Sequence, residues 1–294
     1  MVLERHVTVA RFCQVVIHGL VWFVTIGALQ GANAPATPVG TSLDIHVQPG
    51  GFGKASPADI TAVLRSAAGE LSRHCPHTQL PGIEVYHRGD HPQTNFARLP
   101  GGRIGIGLAT QGTHWAQYSF QFAHEVCHVL ANYSNNHQPP RSEGRQANLW
   151  LEESLCETAS LFTLRAMSRS WQTAPPYPSW KSYAVWFRSY VEQRRQQVEH
   201  HFVPRMSFSV WFRKNEPALR QNVVRRHRDL VIANQLLPIF ESEPDGWETL
   251  PYLNIASANP DQSLAQHLAQ WRSHCPKNLR PFVARVAALF ALKL

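Results

Sequence analysis

The sequence predicts an α+β fold, in which a small mixed sheet and one helix with reactive side chains are followed by a mostly helical C-terminal half. Strand-like alternation and helical periodicity both occur in the first half, whereas the second half is helical in pattern almost throughout. Prolines separate the helical stretches. The chain has 294 residues, 44% of them apolar and 16% charged, so it can bury a sizeable core, and a disordered or coiled-coil protein is excluded.

The first half is predicted to alternate strands and helices. Ser56 and Pro57 open the first helix, because proline fits the first turn of a helix. Strands are predicted at residues 43–47, 83–86 and 103–108. Helices are predicted at residues 58–71, at a segment that includes 120–131, and from 149 to about 167, with a long polar surface loop at 134–148.

The second half is predicted to be wholly helical, without an internal repeat or a low-complexity block. Its helices are predicted at residues 180–198, 216–236, 260–271 and 280–293. The residues that carry chemistry lie where the two halves meet.

Residues 1–36 have the pattern of a signal peptide or a short N-terminal anchor. Arg5 and Arg11 precede the apolar run 15–29, and small residues follow at 32–36. The run is shorter than the ~20 residues that a spanning helix needs. We therefore expect an exported protein that is periplasmic, secreted, or anchored to a membrane and facing outside.

Export changes the interpretation of the cysteines. Cys13 lies in the export segment, so four cysteines, an even number that allows complete pairing, remain outside it. The preferred pairing joins Cys75 to Cys275 and Cys127 to Cys156. Free buried thiols are the alternative.

The segment His124-Glu125-Val126-Cys127-His128 is an HExxH motif on a predicted buried helix. Residues four apart on a helix lie one turn above each other, so His124 and His128 face the same way and can share one cation. Two neutral imidazoles and a carboxylate suit zinc, which keeps a further position open in catalytic sites. Glu125 flanks that position and can take a proton from zinc-activated water. The motif therefore predicts a catalytic Zn²⁺ site with Glu125 as the general base.

Two carboxylates occupy one face of the next predicted helix. Glu153 and Glu157 are one turn apart, and such a pair on an apolar helix is costly unless each carboxylate has a positive or hydrogen-bonding partner. Zinc would satisfy Glu153, and the outer ring nitrogen of His124 or His128 would satisfy Glu157. We predict Glu153 as the third metal ligand and Glu157 as the residue that orients a histidine. A capping or solvated acidic face is the alternative.

Together these residues resemble the gluzincin metallopeptidases, the thermolysin-like clan. The resemblance covers roughly residues 100–165 and rests on HExxH followed by a glutamate and by a further acid four residues later. It implies a zincin-like fold, zinc metallopeptidase activity and a peptide or protein substrate. On this basis residues 37–168 form the zincin-like α/β part with the metal site, and residues 169–294 form a helical part that completes the same catalytic domain.

Three further expectations concern the oxyanion, the strand 103–108 and the two cysteines beside the site. The residue that stabilises the oxyanion is not identified by the sequence, and the candidates are Tyr183, Tyr190, Tyr252, His200 and His201. The strand 103–108 is either the sheet edge that holds an extended peptide or a central strand whose glycines fit against a helix. Neither Cys127 nor Cys156 is expected to bind zinc, because neighbours on a helix point ~100° apart.

The formal net charge of +8 includes short basic clusters at 194–195 and 225–228. We expect solvated faces there, with weak attraction to an anionic envelope surface as the alternative. Without a nucleic-acid-binding motif, no nucleic-acid partner is expected.

The sequence thus predicts an exported zinc metallopeptidase. A catalytically inactive zinc-binding envelope protein with a structural or interaction role is the alternative, and a membrane-tethered interaction protein is a third, with the oligomeric state left open.

Overall fold

The computed structural model describes residues 43–132, 147–197, 202, 206–221, 226–255 and 259–294. The chain divides into two compact units, Met1–Asn33 and Ala34–Leu294, and every described residue belongs to the second. The predicted export segment and most of the predicted loop 134–148 lie outside the described residues. None of the described helices combines the length and the apolarity that crossing a lipid bilayer requires.

The described strands form one mixed sheet. They are β1 Ile45–Val47, β2 Ile83–His87, β3 Gln93–Arg98 and β4 Ile104–Leu108, in the order β1-β2-β4-β3. β1 pairs with β2 and β2 with β4 in parallel, whereas β3 pairs with β4 antiparallel and is an outer strand. The α+β class, the small mixed sheet and the three predicted strands are confirmed.

The strand 103–108 is central, so its interpretation as the peptide-holding edge is wrong. β4 lies between β2 and β3, and all of its residues are buried. A Cβ at Gly107 would collide with the side chain of Arg88, so the glycine permits this close approach. The edge beside it is β3, which the sequence did not predict because Gln93–Arg98 shows no apolar alternation.

Helices make up most of the remaining structure. Ser56 caps the first one as predicted, because its side chain accepts a hydrogen bond from the amide of Asp59. Two 3₁₀ segments, Pro178–Tyr183 and Pro244–Tyr252, lie among the helices of the second half. The α-helices are α1 Pro57–Ser72, α2 Trp115–Ala131, α3 Leu149–Ser170, α4 Ala184–Gln196, α5 Phe208–Gln221, α6 Arg226–Ser242, α7 Leu264–His274 and α8 Arg280–Leu289.

Helix ends in the second half differ from the predicted ones. The stretch 216–236 belongs to two helices, α5 and α6, and Pro217 and Pro238 lie inside them rather than at their ends. Here tertiary packing overrides the usual cost of an internal proline. α7 begins at Leu264 and not at residue 260, because Ser263 forms a capping box that determines the start.

α3 is the central helix of the described residues. It packs against α1, α2, α4 and α6, and most of its side chains are buried. Its Trp150 is fully buried, as are Trp171 just beyond its end and Trp247 in the second 3₁₀ segment. One continuous core therefore joins the sheet, the HExxH helix α2 and the helical half.

The predicted disulfides are wrong, and the alternative of buried thiols holds. Cys75, Cys127, Cys156 and Cys275 are all free and buried. Cys127 of α2 does meet Cys156 of α3, but as a hydrogen-bonded pair of thiols. Packing of the two helices thus brings these sulfurs together without a covalent bond.

Candidate metal centre

The HExxH residues lie on α2 and the downstream acids on α3, and the two helices run antiparallel. His124 meets Glu157, whereas His128 meets Glu152, so rising residue numbers on α2 face falling numbers on α3. The side chains of His124 and His128 are 19% and 14% exposed, on the side of α2 that faces α3. The periodicity of α2 thus places both imidazoles at one helix–helix seam.

The carboxylate of Glu153 lies between the two imidazoles. Its Oε2 is 3.4 Å from Nε2 of His124, and its Oε1 is 3.6 Å from Nε2 of His128. A tetrahedral zinc ion with bonds of about 2.0–2.2 Å separates its ligand atoms by about 3.3–3.6 Å. Each imidazole thus has one Glu153 oxygen at about the spacing of two ligands of such an ion, with a different oxygen facing each ring.

Cys156 also reaches this place. Ligand atoms of His124, His128 and Cys156 all lie within 4.8 Å of one another, so this group could hold a metal ion. Cys156 therefore lies near both imidazoles, because α3 packs closely on α2. Burial raises the pKa of the Cys156 thiol well above its usual range, and the contact with Cys127 adds to this effect.

Glu153 and Cys156 differ in protonation state. Burial opposes the ionisation of Glu153, but the nearby His128 and His124 outweigh it and hold the pKa of Glu153 well below its usual range. Glu153 thus offers an ionised oxygen, whereas Cys156 must first lose a proton from a buried thiol. A hard carboxylate and two imidazoles form a donor set suited to zinc.

Glu152 holds the outer nitrogen of His128, a role that sequence reasoning missed. Its Oε1 lies 2.7 Å from Nδ1 of His128 and accepts a hydrogen bond from Asn132 at 2.9 Å. Its Oε2 accepts one from Asn254 at 2.7 Å. A carboxylate at the far nitrogen orients a metal-binding imidazole and raises its basicity. The signal for this role was that Glu152 and Glu153 are adjacent in the sequence. Neighbouring side chains on a helix point ~100° apart, so one of the two carboxylates can face Nε2 of the His128 ring and the other can face Nδ1.

Glu157 occupies the corresponding place beside the other imidazole. Its Oε2 lies 3.7 Å from Nδ1 of His124, and its Oε1 accepts a 2.7 Å hydrogen bond from Arg194 of α4. The Arg194 guanidinium also lies over the ring of Phe120, 4.9 Å from its centroid. The expectation of a solvated basic face at 194–195 is therefore wrong for Arg194, which turns inward to pair with Glu157.

The seam stabilises positive charge. Burial opposes protonation of His124, yet hydrogen bonds to Glu153 and Glu157 raise its pKa to about 10. Burial also opposes protonation of His128, but the charge of Glu153 and the hydrogen bond to Glu152 raise its pKa well above the usual range. Protons thus compensate the surrounding carboxylates where no cation is present. The same carboxylates would favour a divalent cation bound by neutral imidazoles.

The predicted general base lies beside the edge strand. Glu125 is only 4% exposed, and its Oε2 accepts a 2.8 Å hydrogen bond from the hydroxyl of Thr94 on β3. Glu125 also lies close enough to His124 for its charge to raise the pKa of that imidazole. Thr94 was missed because its strand was not predicted.

The candidates for oxyanion stabilisation lie in different surroundings. The hydroxyl of Tyr183 accepts a hydrogen bond from a main-chain amide of α2, which is a structural role. The ring of Tyr190 packs edge-on against α2. Tyr252 ends the second 3₁₀ segment, where burial raises its pKa. His200 and His201 lie outside the described residues.

No known protein family, curated protein or solved structure matches this chain.

Proposed function

We propose that the protein is an exported zinc-dependent metallopeptidase of the gluzincin type. The single observation that supports this most is the Glu153 carboxylate, whose two oxygens lie 3.4 and 3.6 Å from the Nε2 atoms of the HExxH histidines. A second carboxylate at each outer nitrogen, from Glu152 and Glu157, adds the support that metal-binding imidazoles use. The export part of the proposal rests on the sequence of residues 1–36.

The arrangement of the elements favours a zincin-like fold. A mixed sheet ends in one antiparallel strand, β3, and the HExxH helix α2 packs against this strand and β4. β3 pairs with β4 on one side, and no other strand of the described residues pairs with its outer side. An extended peptide could therefore add to β3 through main-chain hydrogen bonds.

In this proposal His124, His128 and Glu153 hold the metal. Zinc, when bound, supplies a Lewis acid and lowers the pKa of a coordinated water to ~7. Glu125 takes a proton from the attacking water and gives it to the leaving amine. Glu152 and Glu157 keep the imidazoles oriented while this proton moves.

Metal analysis combined with peptide hydrolysis tests the proposal. We expect about one zinc per chain in wild type and in Glu125→Gln, which is the loading of a single three-ligand site. Glu153→Ala should lose most of its zinc. Hydrolysis of a peptide library should be lost in Glu125→Gln, because the amide cannot accept the proton. A wild type without zinc, or a Glu125→Gln variant with undiminished hydrolysis, would overturn the proposal.

One observation favours the second candidate, an inactive zinc-binding envelope protein. Glu125 is only 4% exposed, which limits the access of water to the base. This candidate shares the zinc content with the first. It differs in showing no hydrolysis of any peptide and in an unchanged phenotype for Glu125→Gln.

A further inference from the structure

The edge strand and the general base are joined by one side-chain hydrogen bond. The hydroxyl of Thr94 lies 2.8 Å from Oε2 of Glu125 and 3.2 Å from its main-chain oxygen. We propose that Thr94 is the positioning residue for Glu125, holding Oε2 so that Oε1 is left for the proton of the reacting water. This inference rests on the proposed peptidase function.

Strand pairing determines where the Thr94 hydroxyl lies. Thr94 is opposite Ile106 of β4, and it shares the inner face of β3 with Phe96 and Arg98, whereas the residues between them are exposed. The alternation of a strand therefore directs this side chain toward α2. A β-branched residue also has few side-chain rotamers in a strand, so the hydroxyl has a defined direction.

A fixed carboxylate matters for the proposed chemistry. A general base must lie within about 2.6–3.2 Å of the oxygen whose proton it takes, and a glutamate side chain has several rotatable bonds. Displacement of a reacting group by ~1 Å can lower the rate by a factor of about 100. Thr94 restricts this freedom at one oxygen. It also links the base to the strand to which an extended peptide would add, so the substrate and the base share one rigid support.

Steady-state kinetics on the zinc-loaded full chain test the assignment. Thr94→Val keeps the shape of the side chain and removes the hydroxyl, and we expect kcat to fall by a factor of about 10 to 100 with little change in KM or zinc content. Thr94→Ser restores the donor and should recover most of kcat. Thr61→Val is the matched control, because that hydroxyl donates a hydrogen bond to the main-chain oxygen of Pro57 in α1; its kcat should equal that of wild type.

Thermal unfolding gives a readout that does not depend on activity. If the hydrogen bond forms, Thr94→Val should lower Tm by about 3 °C in the wild-type background. In a Glu125→Ala background the same substitution should lower Tm by less, because the carboxylate acceptor is gone and only the 3.2 Å contact with the main-chain oxygen of residue 125 remains. Equal Tm shifts in both backgrounds would show that residues 94 and 125 are not coupled and would overturn the inference.

The outcomes separate this inference from the proposed function. If wild type hydrolyses peptides and Thr94→Val retains its kcat, the inference is wrong while the peptidase proposal stands. Failure of Thr94→Ser to recover kcat, with zinc content intact, also overturns it. If wild type binds zinc but hydrolyses no peptide, the peptidase proposal fails and the positioning role fails with it.

Discussion

Replacing Glu152 by glutamine is expected to lower the zinc affinity of the protein by a factor approaching 100. Glu152 is 5% exposed and makes contacts of 2.7 Å with His128, 2.9 Å with Asn132 and 2.7 Å with Asn254. Both asparagines contribute amide donors, and the histidine nitrogen must also donate when the other nitrogen binds metal. Glutamine has the same size but replaces one acceptor oxygen by an NH₂ group. At least one of these donors then loses its acceptor in a buried place.

The magnitude follows from the role of such a carboxylate. Removing the partner of a metal-binding histidine costs about 10- to 100-fold in metal affinity, or about 1.4 to 2.7 kcal/mol. The burial and the three short contacts of Glu152 place it at the upper end of this range. Glu157 supports its histidine less closely. Its Oε2 lies 3.7 Å from Nδ1 of His124, and its Oε1 accepts a hydrogen bond from Arg194 instead. Glu157→Gln should therefore cost closer to 10-fold.

Competition with a chromophoric zinc chelator measures both affinities. The matched control is Glu84→Gln. Glu84 also pairs with a histidine, since its carboxylate lies 2.8 Å from Nδ1 of His46 on the neighbouring strand, but this pair is outside the α2–α3 seam. This control should retain wild-type affinity. If Glu152→Gln binds zinc as tightly as Glu84→Gln does, Glu152 does not support a metal ligand.

Three further predictions concern stability and ligand identity. Arg194→Met should lower the free energy of unfolding by about 2 kcal/mol in urea denaturation, because the buried Glu157 loses a charged hydrogen-bond donor; an unchanged midpoint would contradict this. Cys156→Ser should retain zinc, and X-ray absorption of the wild type should show no sulfur at the ~2.3 Å of a zinc–thiolate bond. A sulfur shell would instead make Cys156 the ligand. Burial lowers the pKa of His267 to about 4, so the folded state stays unprotonated at that position while the unfolded state, with a pKa of ~6.5, binds a proton. Stability should therefore fall by up to about 3 kcal/mol as the pH drops from about 6.5 to about 4, and His267→Gln should remove this part of the loss, as measured by urea denaturation at both pH values.

Much of the candidate site could be predicted from local patterns. The four-residue spacing of His124 and His128, and of Glu153 and Glu157, depends only on helix geometry, and both segments are helical in the structure. The role of Glu152 was within reach, because it precedes Glu153 on the same helix. Thr94 and Asn254 were not, because they are separated by 31 and 102 residues from the glutamates that they contact.

The edge of the sheet and the state of the cysteines show the same limit. Gln93–Arg98 forms a strand because β4 pairs with it, although its own residues carry no apolar alternation. Cys127 and Cys156 lie in contact, as the predicted pairing requires, yet they remain thiols. Proximity alone does not make a disulfide, which needs a specific geometry.

Local patterns in the amino-acid sequence predict the α+β class, the helices that carry the motif, and which side chains share one helix face. These features follow from backbone hydrogen bonds between residues a few positions apart, which set the 3.6-residue turn. The tertiary structure alone decided that Glu152 and Glu157 meet different imidazoles, that β3 and not β4 is the edge, and that Arg194 turns inward. Those outcomes depend on how distant elements pack into one core, where many weak contacts add up across the chain and no short pattern records the result.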